Sequence, residues 1–339
     1  MEPIRWGVLS TAKIGLENVL PAMAKSPDCE IAAIASRDLA KANTAADNLG
    51  ISRRYGSYQE LFDDPDIDAI YNPLPNDLHV PLSIEAAKAG KHVLCEKPIG
   101  LNADEAKALV EARDANGVTI VEAFMVRHHP QWLRARDLVR SGAFGTLRSI
   151  HAAFSYFNAD PANIRNKKAK GGGGLYDIGV YPIVVSRFLF EWEPHRVVAA
   201  TEQDPEFGTD RLTSAILDFG GAHTTFVCST QMVPYQRVQV LGSRGRGEIQ
   251  IPFNAPPDQP TKLFVDDGSE LGDASAITEV FDVCDQYRLQ GEAFARMVRG
   301  EEGCEFPLED SIANMRVVDS LFLSAATGEW VEIGPGGVG

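Results

Sequence analysis

Short apolar strand segments alternate with helical segments along the first 125 residues, and this alternation constrains the fold more than any other feature. Ile4–Leu9 and Glu30–Ala35 are apolar runs of strand length, whereas Ile14–Lys25 and Asp38–Leu49 carry apolar residues at helical spacing. Strands that alternate with helices of this length form βαβ units, in which the strands run parallel. The pattern therefore predicts a doubly wound α/β domain over residues 1–125, with ligands bound at the carboxyl edge of its sheet.

The second part of the chain has a different pattern. Long alternating runs are separated by turn residues, as in antiparallel sheets. The strand-like runs are Ser149–Phe157, Thr213–Phe219, Thr224–Gln231 and Gln236–Leu241, and helical segments lie at 131–140, 173–190, 287–298 and 308–326. We therefore expect an α+β domain with a large, mostly antiparallel sheet over residues 126–339.

The net charge and the spacing of the cysteines limit the classes of partner and site that the sequence predicts. The formal net charge is -15, so the protein is expected to repel nucleic acid and anionic membrane. The chain contains no apolar run long enough to suggest a membrane helix, and its first residues enter a strand without a long apolar region. The five cysteines are scattered, which predicts neither a disulfide framework nor a metal site. We expect a cytoplasmic protein.

The turn after the first strand is a candidate phosphate-binding loop. In Gly7-Val8-Leu9-Ser10-Thr11-Ala12-Lys13-Ile14-Gly15, small residues take the place of glycines in the dinucleotide fingerprint G-x-G-x-x-G. The turn still brings backbone and a helix N-terminus close to a pyrophosphate, and two hydroxyls add donors. The predicted cofactor contacts here are Gly7, Ser10, Thr11, Ala12 and Ile14. The alternative is a tight turn with no ligand.

The end of the second strand bears on the choice of cofactor. Ser36 and Arg37 suit the 2′-phosphate of NADP, and Lys41 lies one helical turn further on. In the alternative reading Arg37 is a surface residue and Asp38 binds the ribose of NAD. Because arginine binds phosphate in a bidentate manner, the sequence favours NADP over NAD.

Two further strand ends contribute candidate residues. Leu74, Asn76 and His79 follow one strand, and they are expected near the nicotinamide half of the cofactor, although such polar groups also cap helices. Glu96 and Lys97 end another strand, before Pro98, which restricts the direction of the lysine. We count both among the cofactor contacts. A solvated loop lysine is the alternative for Lys97.

A second constellation follows the glycine run 171–174. Asp177 and Tyr181 are four residues apart and would share one helix face. A carboxylate, a phenol and a nearby ammonium such as Lys97 can form a proton-transfer set, because the ammonium makes the phenolate accessible. The alternative is that Asp177 caps the helix and Tyr181 packs beneath it. Candidates for the substrate pocket are Phe157, Asn158 and Arg165, just before the glycine run, and Arg127 and His129.

These motifs together resemble the glucose-fructose oxidoreductase, inositol dehydrogenase and rhizopine-catabolism family, especially its branch of dihydrodiol dehydrogenases, NADP-dependent xylose dehydrogenases and aldose oxidoreductases. The resemblance rests on segments spread over nearly the whole chain, namely Arg5–Ala12, Tyr55–Tyr58, Gly90–Pro98, Glu122–Met125 and Gly172–Tyr181. It implies a Rossmann domain followed by an α+β domain whose open sheet forms a homodimer interface.

The resemblance also implies roles for the site residues. Lys97 corresponds to the catalytic lysine, and Tyr181, where inositol dehydrogenases carry histidine, points to sugars or dihydrodiols. The expected reaction transfers hydride between C1 of an aldose and NADP and gives an aldonolactone, with Tyr181 as acid/base, Lys97 lowering its pKa and Asp177 orienting the sugar or Lys97. Alternatives are an aldose-aldose or glucose-fructose oxidoreductase with non-dissociating NADP, a trans-dihydrodiol dehydrogenase and an NADP-sensing regulator.

Overall fold

The computed structural model describes residues 2–334, which form two compact units. The first contains the residues up to Met125 together with Gln286–Ile312, and the second contains Val126–Asp285 and the residues that follow from Ala313. The division at residue 125 falls where the sequence pattern changes. The segment Gln286–Ile312, however, packs in the first unit, whereas the sequence-based division placed it in the second domain.

The first unit is built on a six-stranded sheet in which every neighbouring pair is parallel. Its order is β3-β2-β1-β4-β5-β6. The doubly wound sheet that the alternation predicted is therefore confirmed, and strand order reverses between β1 and β4, which is where such sheets bind ligands. The strands are β1 (Ile4–Leu9), β2 (Cys29–Ala35), β3 (Arg53–Tyr55), β4 (Ala69–Asn72), β5 (His92–Glu96) and β6 (Ile120–Ala123).

Some helices of this unit begin at residues whose side chains cap the first turn. Asp38 accepts hydrogen bonds from the backbone N–H groups of Ala40 and Lys41, and Ser57 and Glu60 form a capping box. The first helix contains a π-helical turn, Gly15–Val19, and continues as Leu20–Met23. The others are Leu39–Leu49, Tyr58–Phe62, His79–Lys88, Ala103–Asn116 and Gln286–Val298.

The returning segment forms part of the core of the first unit. The ring of Phe294 lies 4.9 Å from that of Trp6, and both side chains are fully buried. Arg299, in the same returning segment, pairs with Asp28 at 2.7 Å. Because burial of large aromatic side chains is a major source of stability, the first unit is incomplete without this segment.

The second unit contains a nine-stranded sheet of order β14-β13-β12-β11-β7-β10-β9-β8-β15. All neighbours are antiparallel except β7 and β10, so the sheet is mostly antiparallel, as predicted. The strands are β7 (Leu147–Phe157), β8 (Arg196–Gln203), β9 (Asp210–Asp218), β10 (His223–Ser229), β11 (Gln231–Gly242), β12 (Arg246–Ile249), β13 (Thr261–Asp266), β14 (Ile277–Phe281) and β15 (Val331–Glu332).

A buried helix covers one face of this sheet. The helix begins with a π-helical turn, Leu175–Gly179, which contains Asp177, and continues as Val180–Phe190. Every residue of Val180–Phe190 is buried, and Thr224 of β10 donates a hydrogen bond to Ser186 at 2.8 Å. Another helix of this unit is Pro130–Arg140. The residues of a further helix, Leu308–Thr327, are divided between the two units. No helix within residues 2–334 is long and apolar enough to cross a membrane.

The opposite face of the sheet is open. Residues that alternate with the buried ones, such as Ala153, Ile216 and Val227, remain partly exposed. They line a shallow depression of about 790 Å³ together with Tyr235 and Arg237. An apolar sheet face of this kind is typical of a surface that contacts another protein.

Candidate active site

The turn after β1 adopts a left-handed conformation at a residue other than glycine. Ser10 has φ 69°, its N–H donates to the carbonyl of Ala35 at 2.8 Å, and its Oγ accepts from the N–H of Ala12 at 3.3 Å. The helix that follows begins at the carboxyl edge of the sheet, and the first N–H groups of a helix have no partner within it. Small side chains and a helix start at this edge fit the pyrophosphate of a dinucleotide.

The other residues predicted at this turn have different environments. Thr11 and Ala12 are half-buried at the turn, and Ile14 packs against the core of the first unit. Gly7 lies inside β1, where an added Cβ would stand 2.8 Å from a methyl group of Leu61. The glycine is therefore required by packing within the sheet.

At the end of β2 the guanidinium of Arg37 is exposed, whereas the carboxylate of Asp38 already accepts hydrogen bonds from the next helix. Burial raises the pKa of the Tyr58 phenol, while the nearby charge of Arg37 opposes that rise. Ser36 accepts from the N–H of Asp38 at 3.2 Å, and the Asp38 carboxylate caps the next helix. Lys41 is exposed one turn further on. The donors at this strand end therefore fit an anionic group.

Buried polar groups fix the turn that carries Lys97. Tyr71 donates its phenolic hydrogen to Glu96 at 2.8 Å, and burial raises its pKa. Glu122, which is 5% exposed, accepts from the N–H of Ile99 at 2.8 Å. The Lys97–Pro98 peptide is cis, and Lys97 itself is partly exposed. The lysine thus stands on a turn held by carboxylates on both sides.

His79 holds the same turn from another direction. It is 1% exposed, and its ring nitrogens lie 2.7 Å from the carbonyl oxygens of Pro98 and Leu74. Asn72 adds bonds to the His79 carbonyl and the Leu74 N–H. The sequence placed His79 on the cofactor, but its ring is enclosed by protein and joins two loops. Leu74 is buried, and Asn76 is half-buried in a 3₁₀ turn.

The second unit assembles a polar cluster around Asp177. Tyr156 donates to its Oδ2 at 2.6 Å, and Arg165 pairs with the same oxygen at 2.9 Å. The charge of Asp177 raises the pKa of both partners, with burial as the larger cause for Tyr156. The structure therefore brings the predicted Arg165 to Asp177 and adds Tyr156, which sequence reasoning missed.

Tyr181 belongs to the same cluster. Its side chain is 5% exposed, and its ring packs against Phe154 and Phe253 at centroid distances of 5.7 and 5.3 Å. Its phenol also contributes to the raised pKa of Arg165, so the two groups interact electrostatically. A carboxylate, a guanidinium and two phenols can orient polyol hydroxyls and exchange protons with them.

The remaining predicted pocket residues lie in different environments. Phe157 is 67% exposed, and Asn158 uses its N–H and its amide oxygen within its own turn. Arg127 is buried next to the 3₁₀ turn residue His128. His129 caps the helix Pro130–Arg140, its Nε2 lies 3.3 Å from the sulfur of Cys284, and burial lowers its pKa to about 4.

The chain is similar to known oxidoreductases over nearly its whole length. The model of an oxidoreductase family with an NAD-binding Rossmann fold matches residues 4–124, and that of the GFO/IDH/MocA C-terminal domain matches residues 132–248. The chain is 46% identical to an uncharacterized oxidoreductase of Rhizobium meliloti, with 97% of this chain and 99% of the relative covered. It is 41% identical to D-xylose 1-dehydrogenase (NADP(+)) 2 of Haloferax volcanii, with the same coverage.

A solved structure is also similar. It is that of a 3-ketoreductase from Actinomadura kijaniata in complex with NADP and TDP-benzene. The sequences are 29% identical, the TM-score is 0.88, and 95% of this chain and 98% of that chain are covered.

The contacts of His79 lead to a prediction about stability. Burial lowers the pKa of His79, and a neutral imidazole has one N–H, so replacing His79 by leucine leaves one of the carbonyl oxygens of Pro98 and Leu74 buried without its donor. We expect the free energy of unfolding to fall by about 1–3 kcal/mol in urea titrations. The control is His223→Leu, at an exposed position, where a change below about 0.5 kcal/mol is expected. Equal stability of the two variants would contradict the assignment.

Proposed function

Because the chain belongs to the GFO/IDH/MocA oxidoreductase family and is therefore an NAD(P)-dependent oxidoreductase, we propose that it oxidises C1 of an aldose pyranose to an aldonolactone with NADP. The observation that carries the proposal is the cluster of Tyr156, Arg165, Asp177 and Tyr181 in the second unit. Hydrogen-bonding groups of this kind suit a polyol, and the xylose dehydrogenase relative supports an aldose.

Arg37 and Ser36 support NADP as the cofactor. The Asp38 carboxylate is occupied as a helix cap, so the exposed guanidinium of Arg37 is the better placed group for a ribose substituent. Arginine recognises phosphate through several donors at once. The relatives named for NADP are consistent with this choice. We propose that Ser10, Thr11 and Ala12 hold the pyrophosphate, and that Lys41 adds positive charge near the 2′-phosphate.

In the proposed reaction the C1 hydroxyl group loses a proton and C1 loses a hydride. Bound NADP+ supplies the hydride acceptor. Tyr181 takes the proton of the C1 hydroxyl as the C1–H bond breaks and the carbon–oxygen double bond forms. The role proposed for Lys97 is electrostatic, since a cation favours the ionised form of a phenol. In the reverse direction Tyr181 returns the proton.

Asp177 orients the sugar in this proposal. Its Oδ2 is engaged by Tyr156 and Arg165, which fixes the carboxylate plane and leaves its charge balanced by the guanidinium. Two strong, short contacts of this kind hold a group in one orientation. The carboxylate can then accept a hydrogen bond from a sugar hydroxyl in a defined direction.

We further propose that two copies of the chain associate through the open face of the second sheet. Ala153, Ile216 and Val227 give this face an apolar surface, and Tyr235 is 47% exposed beside it.

Light scattering is expected to give the mass of two chains. Val227→Arg is expected to give one chain, because it places charge at the centre of the face. A monomeric wild-type protein would contradict the proposal.

A panel of aldoses tests the function. The purified protein is incubated with xylose, glucose and other aldoses, with and without added NADP+, and absorbance at the nicotinamide wavelength is followed. Turnover that requires added NADP+ is expected. Sugar-dependent turnover without added cofactor would instead indicate NADP that stays bound and passes hydride between two sugars. The absence of turnover with every aldose would refute the proposal.

Tyr181→Phe tests the proton-transfer role. The variant keeps the ring that packs on Phe154 and Phe253 but lacks the phenolic oxygen. Turnover should fall by about a hundredfold or more while NADP affinity is retained. Tyr235→Phe, on the open face, serves as the control and should keep wild-type turnover. Near wild-type turnover of the Tyr181 variant would exclude an acid/base role.

Arg37→Ala tests cofactor choice. Loss of the guanidinium should raise the dissociation constant for NADP at least about tenfold and change that for NAD little, because NAD lacks the 2′-phosphate. Binding is measured by fluorescence titration. Arg54→Ala is the control, since Arg54 pairs with Asp47 on the surface of the same unit. Equal weakening of both cofactors would overturn the assignment of Arg37.

A further inference from the structure

A buried carboxylate from a distant strand lies against the glycine run before the helix that carries Asp177 and Tyr181. Asp210, the first residue of β9, is 5% exposed. Its Oδ2 accepts from the N–H of Leu175 at 2.6 Å and from the hydroxyl of Thr213 at 3.4 Å. The backbone N–H of Gly174 lies close enough to favour the ionised carboxylate and so lowers the pKa of Asp210. A negative charge at the start of a helix is favourable, because the helix dipole and the free N–H groups point toward it.

The glycine run is shaped to receive this carboxylate. Gly173 has φ 124°, a conformation that side-chain-bearing residues rarely adopt, and an added Cβ would overlap Oδ1 of Asp210. At Gly172 an added Cβ would collide with the backbone of Arg165, whose carbonyl accepts from the N–H of Gly173 at 2.8 Å. The run therefore fixes two things at once, the start of the helix and the turn that carries Arg165.

We propose that Asp210 is a positioning residue for the reaction: its ionised carboxylate fixes the first helical turn, and thereby Asp177 and Tyr181, in the orientation that catalysis requires. This inference rests on the proposed function of Asp177 and Tyr181. Asp210 acts through the backbone of Gly174 and Leu175 rather than on the substrate.

The ionised state matters because of the donors that surround the carboxylate. The backbone N–H groups of Leu175 and Gly174 face the carboxylate. An ionised carboxylate only accepts hydrogen bonds, whereas a protonated one has a hydroxyl group that donates. Protonation turns one oxygen into a donor facing other donors. The contact would then loosen, and the helix start would gain freedom.

The pH range of this change follows from the environment of Asp210. Burial raises its pKa to about 6, and the Leu175, Thr213 and Gly174 donors act in the opposite direction. The titratable side chains that sense its charge are Tyr156 of β7 and Cys228 of β10, and burial raises the pKa of both. On the helix itself, Asp177 is paired with Arg165, and Tyr181 adds a phenol that Arg165 also senses.

The pH dependence expected for stability is opposite to the pH dependence expected for activity. A carboxyl group whose folded pKa lies above its unfolded value of about 3.9 favours the folded state most at low pH, and this contribution is lost as pH rises through about 6. Asp210 is therefore retained in its ionised form at neutral pH without benefit to stability. If Asp210 had a purely structural role, its replacement by a neutral residue would be expected to lower the stability of the protein at neutral pH.

Asp210→Asn tests the inference. At pH 8 the variant is expected to unfold at a temperature no more than a few degrees from wild type, to lose about tenfold in kcat, and to keep its NADP affinity, because a small misplacement of catalytic groups is costly. The control is Asp204→Asn. Asp204 also accepts two backbone N–H groups but in the turn between β8 and β9, and this variant should keep its kcat.

The pH profile and hydrogen exchange supply readouts that a structural role would not move. Wild-type kcat should fall as pH drops through about 6, and Asp210→Asn should lack this step. Thr213→Val removes a donor that lowers the pKa of Asp210, so the step should move to higher pH. Amide exchange in residues 173–181, corrected for intrinsic rates, should be faster in Asp210→Asn than in wild type and unchanged in Asp204→Asn.

The outcomes separate this inference from the proposed function. If wild-type protein oxidises no aldose, the function fails, while the exchange experiment still tests the Asp210 contact without substrate. If wild type is active but Asp210→Asn keeps its kcat, its pH step and its exchange rates, the inference fails alone. If Asp210→Asn does not fold, the Thr213→Val pH shift decides, and an unchanged profile refutes the role.

Discussion

The parallel arrangement of the six-stranded sheet is the constraint on which the first half of the molecule depends. Every strand end of this sheet emerges at one edge, so the turns after β1, β2, β4 and β5 are neighbours although they are far apart in sequence. The reversal of strand order between β1 and β4 leaves the helices on opposite faces at that point. Ser10, Arg37 and Lys97 therefore share an edge because of topology, and their side-chain chemistry is added to a position that the fold already provides.

Buried polar groups then set the direction of the functional side chains. Around Lys97, the contacts of Tyr71, His79 and Glu122 fix the turn from three sides. Burying such groups is unfavourable unless each finds a partner, so the network tolerates few other arrangements of the loops. In the second unit Asp210 has the corresponding role for the helix that carries Asp177. In both units the residues proposed for catalysis are held by polar groups that need not touch a substrate.

Local patterns predicted much of this arrangement. The alternation of strands and helices predicted the parallel sheet, and the spacing of Asp177 and Tyr181 predicted a helix, which the structure shows as the π-helical turn Leu175–Gly179 followed by Val180–Phe190. The errors came from information that is not local. Tyr156 and Phe157 differ by one strand position and so face opposite sides, and the sequence favoured the exposed one. Asp210 lies 35 residues from its partner Leu175, and Phe294 packs on Trp6 across most of the chain, so neither contact leaves a local pattern.

Gly173 and Asp210 also have a consequence for how the chain can vary. A side chain at position 173 would occupy the place of the carboxylate, so Gly173 cannot be replaced while Asp210 is present. A change at position 210 is compatible with Gly173, whereas a change at position 173 also requires a change at position 210. Mutant libraries that aim to change substrate preference should therefore keep both residues constant and vary the neighbours of Arg165 and Tyr156 instead.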